Sequence, residues 1–185
     1  MKTILVKDVM VPLPEYATVS EEATLYEALL ALEKAQIEFG RKHYGHKAIL
    51  VYDKDKQIVG KLGQRDVLKA LEPKYGVMRN QDNLSGFGFS KKFLNSMIDQ
   101  FNLWDKPLDK ICQKVASIKT KNVMHTPSEG EYVEKDATLD IAIHQFVIGH
   151  HQSLLVIEDK KIIGILRLID VFIHICLQIK KCNIE

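Results

Sequence analysis

The sequence predicts an α/β (α+β) fold: two tandem β-α-β-β-α repeats packed through their small sheets, with a helical insert between them. Three observations predict it. Val9-Met10 recurs as Val123-Met124, and Ala23-Thr24-Leu25 recurs as Ala137-Thr138-Leu139, both at an offset of 114. Each copy then shows apolar residues at helical spacing. After that come two short β-rich runs joined by a polar turn.

The repeat is sought first because it decides the architecture. At the offset of 114, Val19 becomes Val133, and Ala28, Leu29 and Leu32 become Ala142, Ile143 and Phe146. A second block repeats at 104: Ile58-Val59-Gly60 matches Ile162-Ile163-Gly164, and Asp66-Val67 matches Asp170-Val171. The difference of ten residues places an insertion in the first copy, expected at Gln36 to Gly45.

Leu25, Ala28, Leu29 and Leu32 follow the i, i+3, i+4, i+7 spacing of a half-buried helix. Leu29 and Ile143 are therefore expected in packed cores. Thr24 and Glu27 form a capping box at its start. Thr138 is the matching cap in the second copy, where Ile141 replaces the glutamate. The runs Ala48 to Tyr52 and Ile58-Val59, and their counterparts Leu154 to Ile157 and Ile162-Ile163, read as hairpins with a buried face. A second helix follows, from about Asp66 to Leu71 and from about Asp170 to Leu177, and a short strand leads into each copy. Alone, each unit would expose one face of its sheet; two would bury those faces together. The expected division is 1–72, repeat one; 73–118, insert; and 119–185, repeat two.

In the insert, Pro73, Gly76, Asn80, Asn83, Gly86 and Gly88 break regular structure. Gly86-Phe87-Gly88-Phe89 reads as a turn with two packing aromatics, since it lacks the lysine and preceding strand of a phosphate loop. Phe93, Leu94, Met97, Ile98 and Phe101 share one helical stripe, capped by Ser90 and expected in the core before a partner surface. Pro107 opens another short helix as its first residue.

Composition limits the function. Length suits one domain or two small ones, at roughly 100–200 residues per domain, and 46% hydrophobic residues supply a core. A net charge of +2 gives no global field for nucleic acid. Residues 73–119 carry +4, but without aromatic interleaving on a recognised module, so nucleic acid is not an expected partner. Cys112, Cys176 and Cys182 form no CxxC pair, which suits a reducing cytoplasm and gives no zinc spacing. The apolar stretch Ile162 to Leu177 carries Arg167, Asp170 and His174, too charged and short for a membrane span. His150-His151 reads as a solvated loop, not a metal pair. No Ser/His/Asp or Cys/His motif appears, so catalysis is not expected.

The ordered set of lead-ins Lys7-Asp8-Val9-Met10 and Lys121-Asn122-Val123-Met124, the Ala-Thr-Leu helix starts, and the elements Gly60 to Asp66 and Gly164 to Asp170 resembles the CBS domain family, named for cystathionine β-synthase. The resemblance covers about residues 4–71 and 119–177. It implies a tandem regulatory pair that binds AMP, ADP, ATP or S-adenosylmethionine in clefts between the repeats. In the family's Gly-x-x-Ser/Thr-x-x-Asp motif the aspartate holds the ribose diol, while the hydroxyl and helix N-terminus receive phosphate. Here Asp66 and Asp170 are kept, but Gly63 and Arg167 replace the hydroxyls. Gly63 offers only its amide; Arg167 offers a charged fork. Thr126 matches a position that often lines the nucleotide site. If one cleft functions, the expected set is Asp170, Arg167 and Thr126.

Each residue also has a plain structural role: helix capping for Asp66 and Asp170, and an i, i+3 ion pair with Asp170 for Arg167. Two functions follow. One is a nucleotide sensor that signals to an effector protein; the other is a ligand-free dimerisation scaffold with degenerate sites. A homodimer is expected in both.

Overall fold

The computed structural model describes residues 3–40, 47–72, 74–75, 90–105 and 107–181. Gly86 to Phe89 and Cys182 lie outside the described residues.

In the first repeat, β1 (Val11–Pro12) and β2 (Thr18–Ser20) precede α1 (Leu25–Gly40), β3 (Ala48–Tyr52), β4 (Ile58–Gly63) and α2 (Gln64–Leu71). The insert carries α3 (Lys91–Phe101) and α4 (Leu108–Ser117). The second repeat follows as β5 (Tyr132–Glu134), α5 (Leu139–Gly149), β6 (Ser153–Glu158), β7 (Lys161–Arg167) and α6 (Leu168–Lys181). The sheets run β2-β3-β4 and β1-β7-β6-β5. In each repeat the strand before the first helix lies parallel to the strand after it, and the last two strands form the antiparallel hairpin.

Strand alternation explains the three cores. Leu62 of β4 and Leu166 of β7 turn toward their own helices, Leu62 with Leu25, Ala28 and Leu32, and Leu166 with Leu139, Ala142 and Phe146. The opposite sheet faces meet in a third cluster between the repeats: Val11, Tyr16, Leu50, Leu155 and Ile165. This is the face-to-face burial expected from the repeat.

The lead-in segments behave differently from the expectation that each serves its own repeat. They cross over. Val11 of β1 pairs with Ile165 of the second repeat, and His125 of the second lead-in bridges to Lys61 of the first. The exchange is symmetric: the Val6 N–H donates to Ala137 O (2.9 Å) and the Thr120 N–H to Ala23 O (2.8 Å). The first amides of α1 and α5, Leu25 and Leu139, donate to Ile118 O and Ile4 O. Each long helix is thus capped in part by the other copy's lead-in, which satisfies donors that the helix itself cannot. Thr24 and Glu27 complete the capping box on α1, with the Thr24 N–H to Glu27 Oε2 at 2.7 Å. Thr138 occupies the cap position of α5, but its hydroxyl caps nothing there.

The crossing explains two glycines. A Cβ at Gly164 would stand 2.6 Å from Val11 O and 3.1 Å from Met10 Sδ; at Gly60 the nearest atom would be the flexible Met124 Sδ at 2.5 Å, with His125 O at 3.2 Å. Only glycine lets the lead-in backbone pass this close. Gly164→Ala is expected to cost about 1–3 kcal/mol by overpacking, read as a shift of the urea midpoint at unchanged slope. An unshifted midpoint would show that the crossing is loose.

The insertion divides in two. The offset between copies is 114 at Leu25/Leu139, 105 at Val51/Val156 and 104 at Gly60/Gly164. Nine extra residues therefore lie between α1 and β3, partly taken up by a longer helix, and one lies in the hairpin turn. Leu29 and Ile143 are only partly buried, whereas Leu25 and Leu139 are fully so. Leu139→Ala is expected to cost about 2–5 kcal/mol and Ile143→Ala clearly less. Equal losses in thermal unfolding would contradict this assignment of the helix face.

In the insert, α4 packs on the first repeat through Ile111, Val115 and Ile118, and Pro107 is its cap, one position earlier than expected. Ser90 does cap α3, through its Oγ to the Phe93 N–H (3.2 Å). The α3 stripe, however, is not core: Phe93, Leu94 and Ile98 are 41–47% exposed. Buried Glu72 ties the insert to α2 by accepting from the Trp104 N–H (2.8 Å) and the Lys74 N–H (3.2 Å).

Candidate functional site

The hairpin of each repeat ends at a helix N-terminus on the inter-repeat face. This creates two corners. Because Leu62 and Leu166 face their own helices, Lys61 and Gly63 of β4 and Ile165 and Arg167 of β7 face the seam.

The second corner holds Arg167 and Asp170. Arg167 is the last residue of β7 and Asp170 the third residue of α6. The guanidinium grips the carboxylate as a fork, with Nε to Oδ2 and NH2 to Oδ1 both at 2.5 Å. Their side chains are 6% and 18% exposed. Burial pushes the phenol of nearby Tyr16 well above its ordinary value; Arg167 opposes this and Asp170 adds to it. The Tyr16 hydroxyl donates to Ala48 O at 2.9 Å. This corner therefore joins a cation, a carboxylate and a helix start, beside β1 of the other repeat.

The first corner holds Gly63 and Asp66. Gly63 is the cap of α2, and the Asp66 carboxylate reaches back to accept its N–H at 3.0 Å. This is the capping role, with the carboxylate at the third helical position. A Cβ on Gly63 would meet nothing closer than Asp66 Oδ2 at 3.4 Å, so a serine fits there. Thr126 belongs to this corner, not to the second. It follows His125, whose backbone pairs with Lys61 (His125 N–H to Lys61 O 2.8 Å, Lys61 N–H to His125 O 3.0 Å). The expected grouping of Thr126 with Arg167 and Asp170 is thus not what the fold assembles, because the lead-ins exchange.

Beside Thr126 stands a charged network that was not expected from the sequence. Glu131, with its side chain 4% exposed, is paired with Lys61, 13% exposed. Its Oε1 accepts from His125 Nε2 (2.6 Å) and from the Ser128 N–H (3.0 Å). Lys61 Nζ also donates to Ser153 O at 3.3 Å. Burial alone would raise the Glu131 carboxyl, but Lys61, the Ser128 amide and His125 outweigh it and hold it at about 2. The sequence did carry a signal: in the repeat alignment Lys61 stands where the second copy has Ile165, and Glu131 where the first has Ala17. Charges at inward positions of one copy alone mark a local departure from symmetry.

His150 caps α5 in the left-handed region (φ 51) and is exposed. His151 is half-buried, with its ring over Gly149, so only part of the pair is solvated. Among the described residues no cluster of three or more His, Cys, Asp or Glu could hold a metal, and no helix is long and apolar enough to cross a membrane.

The CBS domain model matches residues 6–73 and 115–176. The chain belongs to the CBS domain family. Both matches fall on the two structural repeats, so this is a tandem CBS pair. No curated protein matches the sequence. Among solved structures, CBSX2 in complex with AMP is 22% identical, covers 96% of this chain and 99% of its own, and superposes with a TM-score of 0.60. The CBS domain of a bacterial CNNM/CorC family Mg2+ transporter in complex with ATP is 14% identical over 95% of this chain and 89% of its own, with a TM-score of 0.60. The CBS domain of a membrane protein from Sphaerobacter thermophilus is 15% identical over 91% and 86%, with a TM-score of 0.59. At these identities the likeness shows the fold.

Proposed function

We propose that this CBS pair is a regulatory module that binds an adenosine-containing nucleotide (AMP, ADP, ATP or S-adenosylmethionine) at the second corner of the inter-repeat seam and signals to an effector protein. The observation that carries the reading is the Arg167–Asp170 fork at the start of α6. A carboxylate suits a ribose diol and a guanidinium suits a phosphate. A nucleotide can take each charge from the other, and the α6 amides add a third contact to an anion. The AMP and ATP complexes of similar fold support this ligand class. Asp66, Gly63 and Thr126 form the corresponding set at the first corner.

Binding there would connect β7 of one repeat to the crossing lead-in of the other, so the ligand would bias how the repeats meet and what surface they present. A thermal-shift series with the four ligands tests the reading. A ligand at a hundredfold excess over its Kd should stabilise the fold by roughly 2.7 kcal/mol. No shift with any of them would favour the second reading, a ligand-free scaffold. That reading has its own support: Asp66 is already held by Gly63 and Asp170 by Arg167.

A homodimer belongs to both readings. Tyr26, Leu30 and Leu68 on the first helix pair and Ile141, Ile148 and Phe172 on the second are 47–67% exposed. Leu68 and Phe172 are equivalent positions, and exposed large apolar side chains on the helices of both repeats suit a two-fold contact. Sedimentation with only monomer at micromolar concentration would contradict it. The free thiols of Cys112 and Cys176 fit a reducing cytoplasm.

A further inference from the structure

We infer that the two corners are coupled, because each sends one side chain to the strand start beneath the other's helix: Tyr16 from the second corner to Ala48, and Lys61 from the first corner to Ser153. The inference rests on the nucleotide reading above and deepens it by naming the residues through which a ligand at one corner is felt at the other.

The geometry is reciprocal. Ala48 opens β3 opposite Gly63, and Ser153 opens β6 opposite Arg167. The residue before each accepts from the first amide of the following helix: Lys47 O from the Gln64 N–H (3.3 Å) and Gln152 O from the Leu168 N–H (3.1 Å). Ala48 and Ser153 therefore hold equivalent places beneath the starts of α2 and α6. Each of their carbonyls accepts from a side chain of the other corner. The Tyr16 hydroxyl donates to Ala48 O at 2.9 Å, and Lys61 Nζ donates to Ser153 O at 3.3 Å. Tyr16 belongs to the second corner. It is buried in the seam with Val11 and Ile165, and it follows the turn Leu13–Glu15, which packs on β7. The charges of Arg167 and Asp170 both act on its phenol. Lys61 belongs to the first corner, through Glu131 and through its pairing with His125. In the repeat alignment Lys61 stands against Ile165 and Tyr16 against Gly130, so the two ties do not follow from the repeat itself. A buried bond of this kind is costly to leave unmade. A ligand that moves Tyr16 therefore moves Ala48, the Lys47 carbonyl beside it and the start of α2. Coupling between two sites is equal in both directions, and the Lys61 tie provides the return path.

The test follows amide resonances during titration with AMP. In the wild type those of Arg167 and Leu168 should move, and those of Gly63 and Gln64 with them. In Tyr16→Phe, which keeps the ring and removes only the hydroxyl, the first pair should still move and the second should stay. Gly63 and Gln64 unmoved in the wild type overturn the inference, and so does equal movement in both proteins. A Tyr16 that only supports the fold would lower the melting temperature without separating the two pairs. A ligand-free arm keeps this test apart from the nucleotide reading. Asp170→Asn should move the Gln64 amide, and should not when Tyr16→Phe is added; the direct effect of the lost charge is common to both. A wild type that binds no AMP overturns the nucleotide reading, and this arm then decides the coupling: a Gln64 amide unmoved, or moved equally in both backgrounds, rejects it. Should Tyr16→Phe not fold, the return path decides. Asp66→Asn should move the Leu168 amide, and should not when Lys61→Ile/Glu131→Ala is added. No movement, or equal movement in both, rejects the coupling.

Discussion

Glu131→Ala should unfold this chain more readily by about 3–5 kcal/mol, the usual cost of removing one partner from a buried ion pair. The loss is expected because Lys61 is nearly buried and, among the described residues, would be left with the Ser153 carbonyl in place of its carboxylate. Removing both charges, in Lys61→Ile/Glu131→Ala, should recover most of the loss, since well-packed apolar replacements of such pairs are often neutral or better. Urea unfolding of the two variants measures the difference; a double variant as unstable as the single one would show that Glu131 acts through His125 and Ser128 alone. The pH dependence has a definite sign. The folded-state value of about 2 lies below the ordinary 4.5, so the pair's contribution is full above pH 4.5 and falls away as the pH drops from there toward 2. Glu131→Gln should narrow the gap in stability between pH 6 and pH 3 relative to the wild type. Exposed Glu22 and Asp136, also held low by Lys121 and Lys7, act in the same sense and cancel in that comparison.

Periodicity made most of the architecture legible. Leu25, Ala28 and Leu32 recur as Leu139, Ala142 and Phe146, and all six are buried. A pattern of side chains reports which face is buried; it does not report which neighbour buries it. For that reason the exchange of lead-ins is not visible in the sequence, although Val9-Met10 and Val123-Met124 are equivalent positions. The exchange also explains why Thr126 stands at a corner other than the expected one. Its identity followed from local sequence, whereas its location follows from a strand crossing more than sixty positions away, where His125 meets Lys61. The stripe on α3 shows the opposite limit. Helical spacing predicted the helix and the Ser90 cap, but burial depends on a partner element, and within the described residues the stripe stays open. The Lys61–Glu131 network is not legible in either segment, because each charge looks ordinary there and becomes unusual only when the copies are superposed.

The Arg167–Asp170 fork yields the most demanding prediction, because its two halves should fail differently. Asp170→Ala removes the carboxylate from a guanidinium 6% exposed, and Arg167→Ala removes the guanidinium from a carboxylate 18% exposed that retains the start of α6 beside it. Both should lower stability, and Arg167→Ala by less than the ~3–5 kcal/mol of an uncompensated buried charge, since a carboxylate at a helix start is better stabilised. For binding the order depends on the ligand. Losing a buried bond to a charged group typically costs about 1.5–3 kcal/mol, so Asp170→Ala should weaken every adenosine ligand roughly ten- to hundredfold, ribose being common to all. Arg167→Ala should weaken ADP and ATP more than adenosine, because only the phosphates need the guanidinium. Calorimetry of both variants with adenosine, AMP and ATP separates these effects, and the melting temperature of each free variant supplies the stability term. If Arg167→Ala weakens adenosine and ATP equally, Arg167 serves only to hold Asp170. If neither substitution changes any affinity, the nucleotide does not bind at this corner, and a strong effect of Asp66→Ala would place it at the first corner instead.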